Sequence, residues 1–243
     1  MKGKELTILF VSLHTKSISA MANDYFRFQQ FTLWQSRCAM KVGTDGTLLG
    51  AWACGGKQVL DIGTGTGLIA LMMAQRFVDA QVRGIDIDAD AVGQARENVI
   101  QSPFAARVTI DQCDVKAAEG CYDSIVSNPP YFVDALTCPD DKRSMARHTD
   151  TLTYGDLMSN VWRLLSEEGV FSLIIPFDCK ARLESEAALK GFFKTRECAV
   201  RTTPAKPPRR FMLTFAKHPA ALRQEELVIG SETYKELTKD FYL

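Results

Sequence analysis

The stretch Val59-Leu60-Asp61-Ile62-Gly63-Thr64-Gly65-Thr66-Gly67 decides the fold of this chain of 243 residues. It opens with an apolar run of strand type, and its glycines lead into the helical pattern of residues 68–74. Glycines at a turn from strand to helix let a ligand approach the backbone closely. The stretch therefore predicts a nucleotide-type cofactor site at three alternate glycines, which a tight turn without a ligand would not need: Gly63, Gly65 and Gly67.

Outward from this stretch, short apolar runs alternate with amphipathic segments, which is typical of a β-α-β series and a mostly parallel sheet. The apolar runs predict strands at residues 59–62, 82–87, 107–111, 122–127, 170–175, 195–201 and 210–217. Helical patterns predict helices at residues 68–74, after Asp88, at 152–167 and up to about residue 190. We expect an α/β fold with a doubly wound, mostly parallel, seven-stranded, Rossmann-like sheet and helices on both faces.

The composition predicts one main globular domain. Hydrophobic residues make up 46% of the chain and charged residues 24%, and the formal net charge is zero. We expect an N-terminal extension at residues 1–30, loosely ordered, and a single domain at residues 31–243 with a Pro-rich connection near residues 203–208. Since there is no overall basic field, any nucleic-acid site has to be local.

Other features of the sequence exclude several classes of protein. The seven cysteines form no C-x-x-C pair, which indicates reduced thiols in the cytoplasm rather than a disulfide framework or a zinc knuckle. The apolar segment at residues 6–13 is too short to span a bilayer, and Met21 is an alternative start to Met1. The three histidines are too scattered for metal-ligand spacing. We expect no metal, no membrane segment and no obligate protein partner.

Carboxylates around the glycine stretch discriminate between possible cofactors. Asp86 ends the second predicted strand, where an acid reaches ribose hydroxyls in doubly wound folds. Leu68 replaces the last glycine of the dinucleotide fingerprint G-x-G-x-x-G, and Asp61 suits a cofactor with ammonium and sulfonium groups but would repel a pyrophosphate. Asp114, after the third strand, is a candidate acceptor for an adenine amine or, alternatively, a solvated turn residue. An NAD-dependent oxidoreductase is the alternative to an enzyme whose cofactor carries ammonium and sulfonium groups.

The tetrapeptide Asn128-Pro129-Pro130-Tyr131 directly follows the fourth predicted strand. The prolines have no N–H and end the strand ladder, so the carbonyl groups of Asn128 and Pro129 can point into a cleft. An amide, a backbone carbonyl and an aromatic face together suit chemistry on a planar nitrogen, with Tyr131 stacking on a base. We predict that the four residues are catalytic and that Asn128 also borders the cofactor. A β-turn with a packed tyrosine is the alternative.

These motifs resemble those of the class I S-adenosylmethionine-dependent methyltransferases, with residues 61–67 as the cofactor loop. Residues 37–52, 143–148 and 239–243 narrow the resemblance to the bacterial tRNA1(Val) (adenine-N6)-methyltransferase family. The resemblance implies S-adenosylmethionine as cofactor, a sheet whose last strand is antiparallel, and adenine 37 beside the anticodon as target. It also implies that Thr44 and Asp45 lie near the cofactor, with a capping role as the alternative.

The tetrapeptide indicates the reaction but not the substrate, because adenine, guanine and the glutamine amide of release factors all present a planar NH2 group. Two basic clusters are candidate contacts to RNA phosphates, with solvated loop charges as the alternative. They are Lys142, Arg143, Arg147 and His148, and Lys206, Arg209 and Arg210. Without an added helical or target-recognition domain, the chain is expected to act on a tRNA anticodon loop. The alternatives are a glutamine-amide or other nucleic-acid amine methyltransferase and a non-catalytic RNA-binding module.

Overall fold

The structure, a computed structural model, describes residues 24–37, 42–129 and 152–243. The strands in these ranges are β1 (Tyr25–Arg27), β2 (Thr32–Trp34), β3 (Gln58–Ile62), β4 (Gln81–Asp86), β5 (Val108–Gln112), β6 (Tyr122–Ser127), β7 (Leu165–Pro176), β8 (Phe193–Arg201), β9 (Arg210–Ala216) and β10 (Arg223–Val228). The α-helices are α1 (Thr44–Trp52), α2 (Leu68–Arg76), α3 (Ala89–Ile100), α4 (Tyr154–Leu164), α5 (Lys180–Lys190) and α6 (Glu232–Thr238). A 3₁₀ turn at Phe177–Cys179 connects β7 to α5.

One large sheet contains β3 to β10 in the order β10-β8-β9-β7-β6-β3-β4-β5. Its neighbouring strands are parallel except for β9, which runs antiparallel to both β7 and β8. Helices α1, α2, α3 and α6 pack on one face of the sheet, and α4 and α5 pack on the other. The expected α/β class is confirmed, including the antiparallel strand at the end of the predicted series.

Apolar side chains on both faces hold the central strand β3 in place. Val59 packs into the core under α1, α2 and α3, whereas Leu60 and Ile62 pack into the core under α4 and α5. Burial on both faces is the reason that parallel strands read as continuous apolar runs. The glycine stretch therefore leaves the sheet from a strand that is anchored on two sides.

Within residues 24–37, 42–129 and 152–243, the large sheet has eight strands, one more than the seven that the sequence predicts. In β10, with the sequence Arg-Gln-Glu-Glu-Leu-Val, only Leu227 is buried. The strand lies at the sheet edge, where Glu225 accepts two hydrogen bonds of 3.0 Å from Arg196 of β8. An edge strand held by an ion pair has no apolar alternation, so the sequence pattern does not reveal it.

The helix predicted at residues 152–167 is shorter in the structure. The Thr153 hydroxyl caps the start of α4 by accepting a hydrogen bond of 3.0 Å from the Asp156 amide. The helix ends at Leu164, and Leu165 has the extended angles φ −78° and ψ 134° and begins β7. Both leucines are buried, so an apolar pattern at this junction fits a helix and a strand equally well.

Strands β1 and β2 form a hairpin that packs against the domain. Tyr25 pairs with Trp34, and Phe28 and Leu33 are buried in the core beneath α1, α2 and α3. Residues 24–30, which the sequence assigns to the extension, thus pack with the domain because Phe28 contributes to its core. Residues 1–23 lie outside the described residues, and the division of the chain into extension and single domain stays a prediction.

The parallel strands end at one side of the sheet, here called the carboxyl edge. The connection from β8 to β9 also lies at this edge, because Arg210 pairs with Pro176 at the end of β7 and with Val200 near the end of β8. Segments that are far apart in sequence therefore meet where β3 and β6 end.

Candidate active site

The glycine loop, residues 63–67, bends at the carboxyl end of β3. Gly63, Gly65 and Gly67 have φ values of 71°, 54° and 83°, a left-handed conformation that favours glycine. The amides of Gly63 and Thr64 donate to the Ile85 carbonyl at 2.9 and 3.0 Å, which ties the loop to β4. A Cβ atom on Gly63 or Gly65 would meet no atom within 4 Å. The loop therefore presents bare backbone to open space, as a cofactor lying against it requires.

Asp61, at the end of β3, is fully buried. Its Oδ2 atom accepts hydrogen bonds from the Thr64 hydroxyl at 2.7 Å and the Ala70 amide at 3.1 Å, so it joins the loop to α2. Among the residues that the structure describes, its Oδ1 atom has no hydrogen-bond partner. Burial raises the pKa of Asp61 from 3.8 to about 7, and the charge of Asp86 adds to this increase. A cation bound near the loop would stabilise the negative charge of the Asp61 carboxylate. Because Asp61 is buried, this stabilisation would act through the electrostatic field and not through direct contact.

Asp86, at the end of β4, faces the same loop. Its Oδ2 atom accepts a hydrogen bond of 2.9 Å from the Gly65 amide, and its Oδ1 atom accepts one of 3.1 Å from the Asp88 amide. Each carboxylate oxygen has a second lone pair. The partly exposed Asp86 can therefore hold the loop and still accept a hydrogen bond from a ribose hydroxyl.

Ile87, directly after Asp86, is a candidate site residue that the sequence analysis missed. Its side chain is 66% exposed although it is large and apolar. The Gln112 side chain donates to the Ile87 carbonyl at 3.3 Å, so the backbone here is tied to the end of β5. An exposed apolar side chain beside an acid offers a surface to a flat ring. In the sequence this residue is visible only as an apolar residue directly after the acid, and its apolar character assigns it to the predicted strand at residues 82–87.

Asp114 lies exposed after β5. Its Oδ1 atom accepts a hydrogen bond of 2.9 Å from the Lys116 amide, and its carbonyl accepts bonds of 2.9 and 3.0 Å from the Ala117 and Ala118 amides. These bonds correspond to the turn role that the sequence left open. A contact with adenine stays a prediction.

Asn128 and Pro129 leave β6 beside the glycine loop. Strands β3 and β6 are parallel neighbours in which Ile62 pairs with Ser127, so Gly63 and Asn128 follow at the same level. The buried Ser127 hydroxyl donates to the Ile62 carbonyl at 2.9 Å and fixes the two strand ends together. Because neighbouring strands are about 4.8 Å apart, Asn128 and the glycine loop line the same space beyond the ends of β3 and β6.

Two predicted site residues, Asp45 and Arg210, contact each other. Asp45 lies in the first turn of α1 and accepts a hydrogen bond of 2.8 Å from Nε of Arg210, the first residue of β9. This ion pair holds the start of α1, with the exposed Thr44, at the carboxyl edge. Contacts of Thr44 and Asp45 with a cofactor and of Arg210 with RNA stay predictions.

Lys206 and Arg209 lie exposed in the connection from β8 to β9. The Lys206 carbonyl accepts a hydrogen bond of 2.7 Å from the Arg201 guanidinium, and the Arg209 amide donates to the Val200 carbonyl at 2.9 Å. The backbone of the connection is thus held while its cationic side chains reach the surface. The structure brings this second basic cluster to the same edge as Asn128.

The remaining predicted site residues lie outside the described residues: Pro130, Tyr131, Lys142, Arg143, Arg147 and His148. Within the described ranges, no group of three or more His, Cys, Asp or Glu side chains is placed to hold a metal ion. No helix in these ranges combines the length and the apolar character needed to cross a membrane.

Comparison with known proteins agrees with this geometry. The family model described as "Methyltransferase small domain" matches residues 47–203, which include the glycine loop, Asp86 and Asn128. A tRNA1(Val) (adenine(37)-N6)-methyltransferase of Bacteroides thetaiotaomicron is 48% identical over 234 residues, covering 92% of this chain and 99% of that protein.

Solved methyltransferases share the fold. A predicted O-methyltransferase from Agrobacterium tumefaciens gives a TM-score of 0.64 at 17% identity, over 81% of this chain and 96% of its own. A glycopeptide N-methyltransferase in complex with S-adenosylmethionine gives a TM-score of 0.54 at 13% identity, over 74% of this chain and 90% of its own. The sequence match over nearly the full length confirms the resemblance: the chain belongs to the tRNA1(Val) (adenine(37)-N6)-methyltransferase family, enzymes whose methyl donor is S-adenosylmethionine.

Proposed function

We propose that this enzyme methylates N6 of adenine 37 in the anticodon loop of tRNA1(Val). The observation that carries the proposal is the placement of Asn128 beside the glycine loop by the pairing of Ile62 with Ser127. This placement allows an amine held by Asn128 to face a methyl donor held by the loop. The full-length similarity to a protein of that name supports the choice of substrate.

The residues around the loop fit S-adenosylmethionine. Gly63 and Gly65 offer backbone without a side chain, Asp86 offers acceptors for ribose hydroxyls, and Ile87 offers an apolar surface for the adenine ring. The unpartnered Oδ1 atom of Asp61 suits a cationic ligand nearby. The bound cofactor supplies an electrophilic methyl group on a positively charged sulfur.

The role of Asn128 and Pro129 follows from the electronic structure of adenine. The lone pair of the exocyclic nitrogen is delocalised into the ring, which makes the nitrogen a poor nucleophile. The Asn128 side-chain oxygen and the Pro129 carbonyl would accept the two amine hydrogens and direct the lone pair toward the methyl carbon. The same oxygens would stabilise the positive charge that develops on nitrogen. Tyr131 would stack on the flipped base.

Exposed cations at the carboxyl edge favour RNA over a glutamine amide as substrate. Lys206 and Arg209 are exposed at this edge, on the same side of the sheet as Asn128. Cations at this position suit phosphates flanking a flipped base, whereas a glutamine side chain of a protein brings no such charge. The described cysteines are free thiols, which supports the cytoplasm as the compartment in which tRNA is modified.

Methylation of purified tRNA tests the proposal directly. The wild-type enzyme with labelled S-adenosylmethionine should methylate a tRNA1(Val) transcript at adenine 37, detected as N6-methyladenosine by nucleoside mass spectrometry. Asn128→Ala should lower single-turnover methylation about 100- to 1000-fold, the range for one group that stabilises developing charge. Calorimetric titration should show little change in cofactor affinity.

Asn160→Ala is the matched control, because the Asn160 side chain donates to the Asp156 carbonyl within α4, away from the loop. It should methylate at the wild-type rate. Wild-type turnover in Asn128→Ala would remove Asn128 from the reaction. Failure of the wild-type enzyme to modify adenine 37 would contradict the substrate assignment.

A further inference from the structure

Phe177 is an exposed aromatic residue at the carboxyl edge for which the proposed reaction has no role. Its side chain is 55% exposed, and it begins the 3₁₀ turn after β7. In the register of β6 and β7, Ser127 pairs with Leu173. Asn128 is therefore level with Ile174, and Phe177 lies about 10 Å further along the strand direction at roughly 3.3 Å per residue. A purine held at Asn128 would have its neighbouring nucleotide within reach of this ring.

The Phe177 ring is supported rather than loose. Its backbone amide donates to the Arg209 carbonyl at 3.1 Å. Its ring centroid lies 6.1 Å from that of Phe211, with 37° between the ring planes, and Phe211 is buried. Lys180 places its Nζ atom 4.4 Å from the Phe211 centroid. Phe177 thus rests on a fixed aromatic neighbour and leaves part of its surface open.

The surroundings of Phe177 favour a nucleic acid as the occupant of this surface. Arg209 and Lys206 are exposed in the connection from β8 to β9, which adjoins Phe177. Asp178 is an exposed acidic neighbour in sequence, and Lys180 is paired with Glu197 at 3.0 Å. An aromatic face flanked by cations is the combination with which proteins bind unpaired nucleotides, since bases stack on the ring and cations meet phosphates.

We propose that Phe177 is a stacking residue for a base adjacent to the target adenine in the RNA. This inference rests on the proposed function and extends it to a second nucleotide. By stacking on that neighbouring base, Phe177 would hold the anticodon loop of the RNA in an unstacked conformation and keep the target adenine aligned with Asn128. The residue would contribute to RNA affinity without contacting the cofactor.

The test is a thermodynamic cycle between protein and RNA. Dissociation constants are measured for wild type and Phe177→Leu with anticodon stem-loops of tRNA1(Val) that are intact or abasic at the nucleotide 5′ or 3′ of adenine 37. Phe177→Leu should weaken binding of the intact stem-loop about five- to 150-fold, the range for loss of one stacked base. One of the two abasic stem-loops lacks the base that Phe177 contacts. For that stem-loop, Phe177→Leu and wild type should have equal dissociation constants. Phe177→Trp should restore affinity.

Phe193→Leu is the matched control, because Phe193 is 45% exposed at the start of β8, on the opposite edge of the sheet. It should bind all three stem-loops as wild type does. Wild-type methylation of the intact stem-loop together with equal affinities of Phe177→Leu and wild type would overturn the stacking role and leave the proposed function standing. A wild-type enzyme that neither binds nor methylates the stem-loop would overturn both.

Discussion

At the carboxyl edge, the surroundings of Asp61 combine two opposing requirements. The carboxylate holds Thr64 and Ala70 through one oxygen, whereas the other oxygen is buried without a hydrogen-bond partner among the described residues. Burial of a charge without a partner is unfavourable, and the raised pKa of about 7 expresses this cost. We infer that Asp61 is tuned for a state in which a cation lies close to the loop.

The raised pKa predicts how the stability of the enzyme depends on pH. The native state keeps the Asp61 proton up to about pH 7, whereas the unfolded chain releases it near pH 3.8. The stability that protonated Asp61 gives the folded state is therefore complete below about pH 4 and is lost as pH rises to about 7. Above about pH 7 the effect of Asp61 on stability no longer changes with pH. We expect the unfolding free energy of Asp61→Asn to rise relative to that of wild type over this range. About three pKa units correspond to about 4 kcal/mol, measurable by urea unfolding.

S-adenosylmethionine provides the control for this prediction. A bound cation favours the ionised carboxylate, so saturating cofactor should reduce the pH-dependent difference between wild type and Asp61→Asn. Parallel stability curves for the two proteins between pH 4 and 7 would show that the Asp61 pKa is not raised.

At the scale of elements, helix α3 links the N-terminal hairpin to the glycine loop through one buried side chain. Asn98 Oδ1 accepts a hydrogen bond of 2.8 Å from the Trp34 amide. Its Nδ2 atom donates to the Trp34 carbonyl at 2.8 Å and to the Thr66 carbonyl at 2.9 Å. The hairpin that precedes the sheet thereby stabilises the loop that is proposed to hold the cofactor.

Asn98→Ala should therefore weaken both stability and cofactor binding. The substitution removes the partner of the buried Thr66 carbonyl and of two partly buried backbone groups of Trp34. A buried unpaired group costs about 1–3 kcal/mol. We expect a loss of about 1–3 kcal/mol in unfolding free energy, measured by urea titration of Trp fluorescence. Calorimetry should show weaker S-adenosylhomocysteine binding, because the Thr66 carbonyl is no longer held.

Gln101→Ala, at the residue that directly follows α3, is the comparison, because Gln101 accepts an exposed hydrogen bond of 3.0 Å from the Trp34 indole. Its effect on stability should stay below about 1 kcal/mol, with unchanged cofactor affinity. Equal effects of the two substitutions would indicate that Asn98 does not link the hairpin to the loop.

At the scale of the whole molecule, the distribution of charge matters more than its sum. The formal net charge is zero, yet Lys206 and Arg209 are exposed together at the edge where Asn128 lies. A local group of cations attracts phosphates within about 8–10 Å at physiological salt, whereas distant acids are screened. RNA binding is therefore expected to depend on salt although the molecule is neutral.

Lys206→Ala and Arg209→Ala should each reduce the salt dependence of tRNA binding. Loss of one phosphate contact to a single-stranded region lowers the slope of log K against log salt by about 0.7, measured by filter binding between roughly 50 and 200 mM salt. Lys190→Ala removes an exposed cation from the last turn of α5, which leads away from the carboxyl edge toward β8, and should leave the slope unchanged. A uniform change in all three variants would point to a general charge effect.

The sequence by itself determined the class of fold and the chemistry of the site. Strands that are buried on both faces need mostly apolar side chains. The run of residues 59–62, apolar except for Asp61, and the alternation of strand and helix patterns after it are therefore visible in the local sequence. The left-handed backbone of the glycine loop favours glycine, so this feature is also visible in residue type at Gly63, Gly65 and Gly67. Strand β10 and the end of α4 were not predictable in this way, since an ion pair with β8 and a shared apolar junction decide them.

Only the tertiary structure decided which residues meet. The pairing of Ile62 with Ser127 brings the loop to Asn128, and the ion pair of Asp45 with Arg210 joins α1 to β9. Sheet register and long-range pairing depend on the packing of the whole chain, so no local pattern reveals them. For the same reason, the exposure of Phe177 and the full burial of Asp61 became apparent only in three dimensions, because burial is a property of neighbours that the sequence does not place.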